Sequence, residues 1–165
     1  MSLRRKKMHK LLRSLKKAHP GLSFEPAASF YWSPKQRIVY YRDATEESPQ
    51  AAWSLLHELG HALLDHQDFQ TDFELLQIEV AAWEKANGLA KTYGYQIDPD
   101  HIQDCLDTYR DWLYQRSSCP TCTSCSLQTA PRTYTCHNCN TVWRVSSSRL
   151  CRAYRRKQRE ALAVA

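Results

Sequence analysis

The segment 53–66 reads WSLLHELGHALLDH and contains two histidines four residues apart, His57 and His61, with Glu58 directly after the first. In an α-helix, positions i and i+4 lie on the same face, so both imidazoles can bind one metal ion. The glutamate projects to the side, where it can accept a proton from a metal-activated water molecule. Histidines that merely pack in a core would not explain the complete HExxH pattern. The segment therefore predicts a zinc site with a general base beside it.

A third ligand is expected farther along the chain, because catalytic zinc usually takes three protein ligands and keeps one position for water. Glu79 is the best candidate, since it lies in the apolar run QIEVAAW, where an uncompensated carboxylate would be costly. Glu84 remains the alternative, although its neighbour Lys85 also suits a charge on the surface. Glu74 is better explained as part of a helix cap.

Two residues at the end of the motif suit supporting roles. Asp65 lies four residues after His61, where a carboxylate can accept a hydrogen bond from a metal-binding imidazole. His66 lies about 140° around an α-helix from His61, so it can reach the site only if the helix ends before it.

Two CxxC pairs form a second group with metal-binding spacing. CPTC (119–122) and CHNC (136–139) are separated by 13 residues. Four thiolates at this spacing can enclose a structural zinc ion, and a segment with so little apolar material needs one to fold. The chain has seven cysteines, an odd number, and CxxC pairs in a reducing compartment more often bind metal than form disulfides. We predict a zinc ribbon with the ligands Cys119, Cys122, Cys136 and Cys139, and hence two zinc ions per chain.

The remaining cysteines are expected to lie outside this site. Cys125 could replace Cys122, and His137 could compete in the second pair, but four ligands are already present. Cys105 fits a helix as a small apolar residue, which leaves Cys151 without a partner.

The HELGH motif, followed by a helix with the sequence EVAAW, resembles the zinc metallopeptidases whose third ligand is a glutamate, the gluzincins. Residues 22–95 are most similar to the compact ImmA/IrrE type. The resemblance implies hydrolysis of a protein or peptide, with zinc on His57, His61 and Glu79. Glu58 would take a proton from the activated water and pass it to the leaving amine.

The chain also departs from this type and resembles a second one. The ImmA/IrrE type often has a further histidine at the place of Asp65, and here His66 is displaced by one residue. A zinc ribbon behind a HExxH domain is similar to the SprT-like proteases, which act on DNA-bound proteins. Their third ligand is a later histidine, and no histidine occurs between His66 and His101. A third hypothesis is a binding adaptor with a degenerate HELGH site.

In peptidases of this kind, a strand before the metal-binding helix often pairs with an extended substrate. RIVYY (37–41) would be that strand, with Ile38, Val39 and Tyr40 as substrate-binding residues. Tyr40 or Tyr41 could also offer a hydroxyl to the reacting carbonyl, although aromatic residues of strands more often serve packing.

The net charge of +6 is unevenly distributed. Residues 1–20 carry eight Lys or Arg and no acid, residues 43–84 carry ten acids and no Lys or Arg, and residues 119–165 carry eight Lys or Arg and one acid. Basic ends suit a polyanion such as nucleic acid, or they serve solubility or dock on the acidic middle.

Aromatic residues accompany the basic charge near the cysteine pairs. Tyr134, Trp143 and Tyr154 could stack on bases beside Arg132, Arg144, Arg149 and the tail CRAYRRKQRE. Alternatively, the rings fill the small core of the ribbon and the tail is disordered.

Hydrophobic patterning supplies the elements that would position these groups. It predicts a basic amphipathic helix over 4–18, a hairpin of strands 28–32 and 37–41, and a helix over 49–65 that begins at Ser48-Pro49. A second helix should begin at Thr71 with a capping box to Glu74 and continue to about Gly94. A third should begin at Asp98-Pro99.

We therefore expect an α+β protein with a zincin-like metallopeptidase core, built from a small antiparallel sheet, the HExxH helix and two further helices, and followed by a zinc ribbon. The expected bounds are a basic N-terminal helix on or beside the core (1–21), the metallopeptidase domain (22–116), the ribbon (117–150) and a basic tail (151–165). No run approaches the ~18 apolar residues of a membrane span, and no apolar segment follows the basic start. The expected location is the cytoplasm.

Overall fold

A computed structural model describes residues 3–42, 48–147 and 155–157, with side chains for 8–42 and 48–147. Within these ranges, four helices and two small sheets make an α+β protein, as predicted. Among the described helices, none is both long and apolar enough to cross a membrane. The predictions for Arg149, Cys151 and Tyr154 lie outside the described residues.

Helix α1 (Leu3–Ala18) is amphipathic. Leu11, Leu12 and Leu15 are buried, while the basic residues around them, such as Arg13 and Lys16, are exposed. The apolar side therefore contributes to the core and the charged side faces solvent, as expected for a surface helix.

Three short strands form the first sheet, in the order β1 (Ser23–Ala27), β3 (Ile38–Arg42), β2 (Tyr31–Ser33). Strands β2 and β3 pair antiparallel as the predicted hairpin. Arg37, expected at the start of the second strand, belongs to the turn instead and has φ 56°. Strand β1 pairs parallel with β3 and was not predicted, because SFEPA contains a proline and a glutamate. Proline is tolerated there since β1 is an edge strand. The sheet is therefore mixed, which corrects the expectation of an antiparallel sheet.

Helix α2 (Pro49–Leu63) carries the HELGH motif and ends two residues earlier than predicted. Asp65 adopts a left-handed conformation with φ 52°. The N–H of His66 bonds to the carbonyl of His61, and the N–H of Asp65 bonds to that of Ala62. This pair of bonds is a Schellman motif, which terminates the helix and folds the chain back over its last turn.

Helix α3 (Asp72–Thr92) begins at the predicted capping box: the N–H of Glu74 donates to the Thr71 hydroxyl, and the N–H of Thr71 donates to the Glu74 carboxylate. It continues through Asn87-Gly88. Helix α4 (Pro99–Ser117) begins as predicted, with the Asp98 carboxylate accepting from the N–H of Asp100.

The second sheet is antiparallel, with the order β4 (Gln128–Ala130), β5 (Thr133–Thr135), β6 (Val142–Val145), β7 (Arg155–Lys157). Its buried cluster contains two cysteines, two aromatic residues and one valine: Cys119, Cys136, Tyr134, Trp143 and Val145. One cysteine from each CxxC motif is therefore packed in the small apolar core of this sheet.

The chain divides into two compact units. The first comprises residues 1–68 and 77–102, and the second comprises residues 69–76 and 103–165. The expected domain boundary between residues 116 and 117 lies at the end of α4. The second unit also includes most of that helix and the first turn of α3.

Candidate metal centres

Helices α2 and α3 bring His57, His61 and Glu79 together in the first unit. Their ligand atoms lie within 4.8 Å of one another, and all three residues are buried. The two Nε2 atoms are 3.1 Å apart, and the Glu79 carboxylate oxygens lie 3.2 Å from Nε2 of His57 and 3.7 Å from Nε2 of His61. The three predicted ligands therefore converge on one point.

These distances fit a single ion. Zinc bonds to N and O of about 2.0–2.1 Å at tetrahedral angles place ligand atoms about 3.3 Å apart. The alternative ligand Glu84 is exposed on α3, whereas Glu79 is only 6% exposed. The geometry favours Glu79 as the third ligand, and a water molecule could be the fourth.

The surroundings of Glu79 favour its ionised form. Burial alone would raise its pKa, but the neighbouring imidazoles of His57 and His61 outweigh burial and hold the pKa well below its usual range. A buried carboxylate that stays charged is a good ligand for a divalent cation, because the cation compensates the charge.

Gly60 sets the spacing between the helices that carry the ligands. A Cβ atom added at this position would lie 2.6 Å from the backbone carbonyl oxygen of Ala82. Glu79 lies one turn before Ala82 on α3, so close approach at Gly60 brings the carboxylate to the two imidazoles.

The ring of His57 is held by stacking. Its centroid lies 4.2 Å from that of Trp83, with an interplanar angle of 28°. Trp83 also contacts His101, which packs against Trp53. Nδ1 of His57 is buried and has no hydrogen-bond partner among the described residues. Packing against the Trp83 ring, rather than a hydrogen bond at Nδ1, therefore helps to orient this imidazole.

His61 has a polar partner, and it is not the one expected. Nδ1 of His66 lies 2.9 Å from Nδ1 of His61. Asp65 instead faces solvent, with 68% of its side chain exposed, and its carboxylate lies 3.7 Å from the guanidinium of Arg37. The prediction that Asp65 holds an imidazole was wrong, because the helix ends before it. Burial lowers the pKa of His66, which favours its neutral form.

Glu58 lies beside the ligand set and bonds to the first sheet. Its carboxylate accepts a 2.8 Å hydrogen bond from the backbone N–H of Trp32. Burial raises the pKa of Glu58, while the two neighbouring imidazoles and the Trp32 N–H act in the opposite direction. A raised pKa moves a carboxylate toward the range of a general base that works near neutral pH.

Strand β3 lies in the centre of the first sheet, hydrogen-bonded to β1 on one side and to β2 on the other. The backbone of Ile38, Val39 and Tyr40 is therefore already paired, which corrects the expectation that this strand pairs with a substrate. The Tyr40 ring stacks on Tyr31 at 4.4 Å, and its hydroxyl lies 3.1 Å from Oε1 of Gln36. The strand beside Glu58 is β2.

The second unit contains the four predicted cysteine ligands in one cluster. Sγ of Cys119 lies 3.6 Å from that of Cys139, Sγ of Cys122 lies 3.5 Å from that of Cys136, and all four atoms are within 4.8 Å of one another. Zinc–sulfur bonds of about 2.3 Å imply sulfur separations of about 3.8 Å in a tetrahedron. Hydrogen bonds with Ser124 lower the pKa of Cys122 to about 5, which favours the thiolate that a metal requires.

The other candidates do not join this cluster. Cys125 is exposed, and its backbone bridges to Ser118. Nδ1 of His137 lies 3.2 Å from the Ser126 hydroxyl. Cys105 is half-buried in α4. The cluster therefore consists of the four predicted cysteines, and neither Cys125 nor His137 replaces one of them.

Tyr134 and Trp143 are buried and stack on each other, with ring centroids 5.4 Å apart. They fill the small core, so the alternative that they stack on bases was wrong. Arg132 and Arg144 are exposed.

A buried ionic group in the second unit was missed by the sequence analysis. Arg116 is only 2% exposed and donates two hydrogen bonds to Asp72, of 2.7 and 3.2 Å. Asp72 also accepts from the Tyr134 hydroxyl, and the Trp143 indole N–H donates to the Arg116 carbonyl. No short spacing links these positions, which are 44 and 62 residues apart.

No protein-family model, curated protein or solved structure gives a significant match to the chain. The site geometry is therefore the basis for any functional conclusion.

Proposed function

We propose that the chain is a zinc-dependent peptidase of the gluzincin kind, with a zincin-like core. The observation that carries the proposal is the convergence of two histidines and one buried glutamate beside a fourth side chain, Glu58, that is not part of the ligand set. A purely structural site would have no use for an additional partly buried carboxylate at its margin.

The residues divide the work as follows. His57 and His61 would hold the ion through Nε2, and Glu79 would hold it through its carboxylate and offset part of its charge. A zinc ion held there supplies Lewis acidity toward water and a substrate carbonyl. Glu58 accepts a proton from the attacking water at its carboxylate and returns it to the leaving amine.

Strand β2 is the proposed binding surface for an extended substrate. The N–H of Trp32 points to Glu58 and is thus directed away from β3. An extended peptide beside the outer edge of β2 would pass close to Glu58. Every second side chain of that peptide would lie on the side of the sheet where Tyr31 is exposed. The substrate class is accordingly an unfolded or loop segment of a protein.

The four-cysteine cluster is proposed to hold a structural zinc ion. Its ligand shell is complete with four thiolates, so it offers no open position for chemistry. A reducing compartment such as the cytoplasm would keep these thiols available. Exposed Arg132 and Arg144 would supply positive charge for a nucleic-acid partner of the second unit. The exposed basic residues of α1 would do the same in the first unit.

The decisive experiment compares zinc content and hydrolysis in the wild type and in Glu58→Gln, with fluorescein-labelled casein as the probe. Glu58→Gln should retain zinc and lose at least 100-fold in rate, roughly the contribution of a general base. The matched control is Glu84→Gln, which changes an exposed glutamate on α3 and should alter neither quantity.

A zinc-loaded wild type without hydrolysis would favour the adaptor hypothesis, as would equal activity of wild type and Glu58→Gln. Stimulation of hydrolysis by DNA, weakened by salt, would favour the SprT-like alternative.

A further inference from the structure

The end of helix α2 places a third histidine against the metal centre. In the Schellman motif, His61 occupies the third position from the helix end and His66 the second position beyond it. Side chains at these two positions commonly make an apolar contact. Here both are imidazoles, with ring centroids 5.0 Å apart and an interplanar angle of 72°.

His66 is itself fixed from the other side. The indole N–H of Trp32 donates a 3.0 Å hydrogen bond to the His66 carbonyl. The backbone N–H of the same tryptophan bonds to Glu58. One residue of β2 therefore anchors both the proposed general base and the segment that carries His66.

We propose that His66 is a positioning residue that orients His61 for metal binding by accepting a hydrogen bond from its Nδ1–H. This inference rests on the metal site of the proposed function, but not on hydrolysis. When Nε2 of His61 binds an ion, the ring proton is on Nδ1 and needs an acceptor. Nδ1 of His66, at 2.9 Å, is that acceptor, and the proton of His66 is then on its Nε2.

The other two ligands show why such a partner matters. The ring of His57 stacks on Trp83, and the Glu79 side chain is buried in the middle of α3. His61 belongs to the last turn of α2, where a helix is least constrained by its own hydrogen bonds. A hydrogen bond between His66, which follows the helix end, and the His61 ring compensates this freedom.

The test is zinc affinity, measured by dialysis against buffers of defined free zinc, for the wild type and three variants. His66→Phe keeps a ring against His61 but has no acceptor. His66→Asn places an amide oxygen near the position of Nδ1. Asp65→Asn is the matched control, since it changes the neighbouring exposed residue and tolerates the left-handed conformation.

His66→Phe should weaken binding at the histidine-glutamate site by about 10- to 100-fold, the usual effect of losing such a partner. His66→Asn should recover most of the loss, and Asp65→Asn should match the wild type. Cobalt reports the two sites separately, because only the four-cysteine site gives thiolate charge-transfer absorption. The visible bands of Co²⁺ at the other site should shift in His66→Phe.

Equal affinity of His66→Phe and wild type would overturn the inference, as would equal losses in the Phe and Asn variants. A wild type that binds only the thiolate-held ion would remove both this inference and the proposed function. Normal zinc binding with the expected variant pattern but no hydrolysis would support the role of His66 and count against the peptidase alone.

Discussion

The backbone of Ala82 approaches Gly60 so closely that a Cβ atom at Gly60 would lie 2.6 Å from the Ala82 carbonyl oxygen. Real Cβ atoms do not occupy such positions, so the two helices could not pack at this distance with any other residue. Gly60 is the fourth letter of HELGH. Its role in the motif is therefore to let the helix of the third ligand reach the two histidines.

Gly60→Ala should displace α3 from α2 and separate Glu79 from the imidazoles. We expect a loss of about 1–3 kcal/mol in the free energy of unfolding from overpacking, together with weaker zinc binding at this site. Urea denaturation and zinc titration measure the two effects.

Gly88→Ala is the matched control. Gly88 also lies within a helix, but a Cβ atom there would meet no described atom within 4 Å. The substitution should raise stability by about 0.5–1 kcal/mol through helix propensity and leave zinc binding unchanged. Weaker zinc binding in Gly88→Ala, or none of the loss in Gly60→Ala, would contradict the assigned role of the close contact.

Metal stoichiometry tests both centres at once. We expect two zinc ions per chain in the wild type, because each group of ligands is complete. His57→Ala/His61→Ala should bind one, and Cys119→Ser/Cys136→Ser should lose the other. Elemental analysis of purified protein gives the counts, and a wild-type count of one would remove one of the two sites.

Trp83 should report occupancy of the histidine-glutamate site. Its ring stacks on that of His57, so Cu²⁺ or Co²⁺ bound there will quench its fluorescence at short range. Quenching should be weaker in Trp83→Phe, where only Trp32 and Trp53 remain near the site, and should be unchanged in Trp112→Phe, which changes a tryptophan of the second unit. Equal quenching in both variants would show that the ion binds elsewhere.

Most ligands of the two candidate metal centres could be predicted from local sequence. HELGH and the CxxC pairs have ligands at fixed spacings within one helix or knuckle, and the capping box at Thr71 is equally local. Glu79 was predicted from one physical argument, the cost of a carboxylate in an apolar helix.

The wrong predictions concern features that depend on contacts between segments distant in the sequence. Strand β1 forms because β3 offers a free edge, which a local pattern in SFEPA does not show. The exchange of roles between Asp65 and His66 follows from the helix end at Leu63, and helix ends are weakly encoded. The order β1-β3-β2 places β3 in the centre of the sheet, which is why the proposed substrate edge is β2 and not β3.

The pair Asp72 and Arg116 should be the most sensitive polar interaction of the second unit. Both side chains are buried, so Asp72→Asn leaves the Arg116 charge without a counter-ion. We expect a loss of about 3–5 kcal/mol in the free energy of unfolding. Zinc-loaded protein in a urea titration, followed by circular dichroism, gives the value.

The matched control is Asp107→Asn, which breaks an ion pair of the same length, 2.7 Å, between Asp107 and Arg110 on the exposed side of α4. Solvent screens that pair, so the loss should stay below about 1 kcal/mol. Adding Arg116→Met to Asp72→Asn removes the buried charge and should recover part of the stability. Equal losses at Asp72 and Asp107, or no recovery in the double variant, would show that burial of the charge is not what makes the pair important.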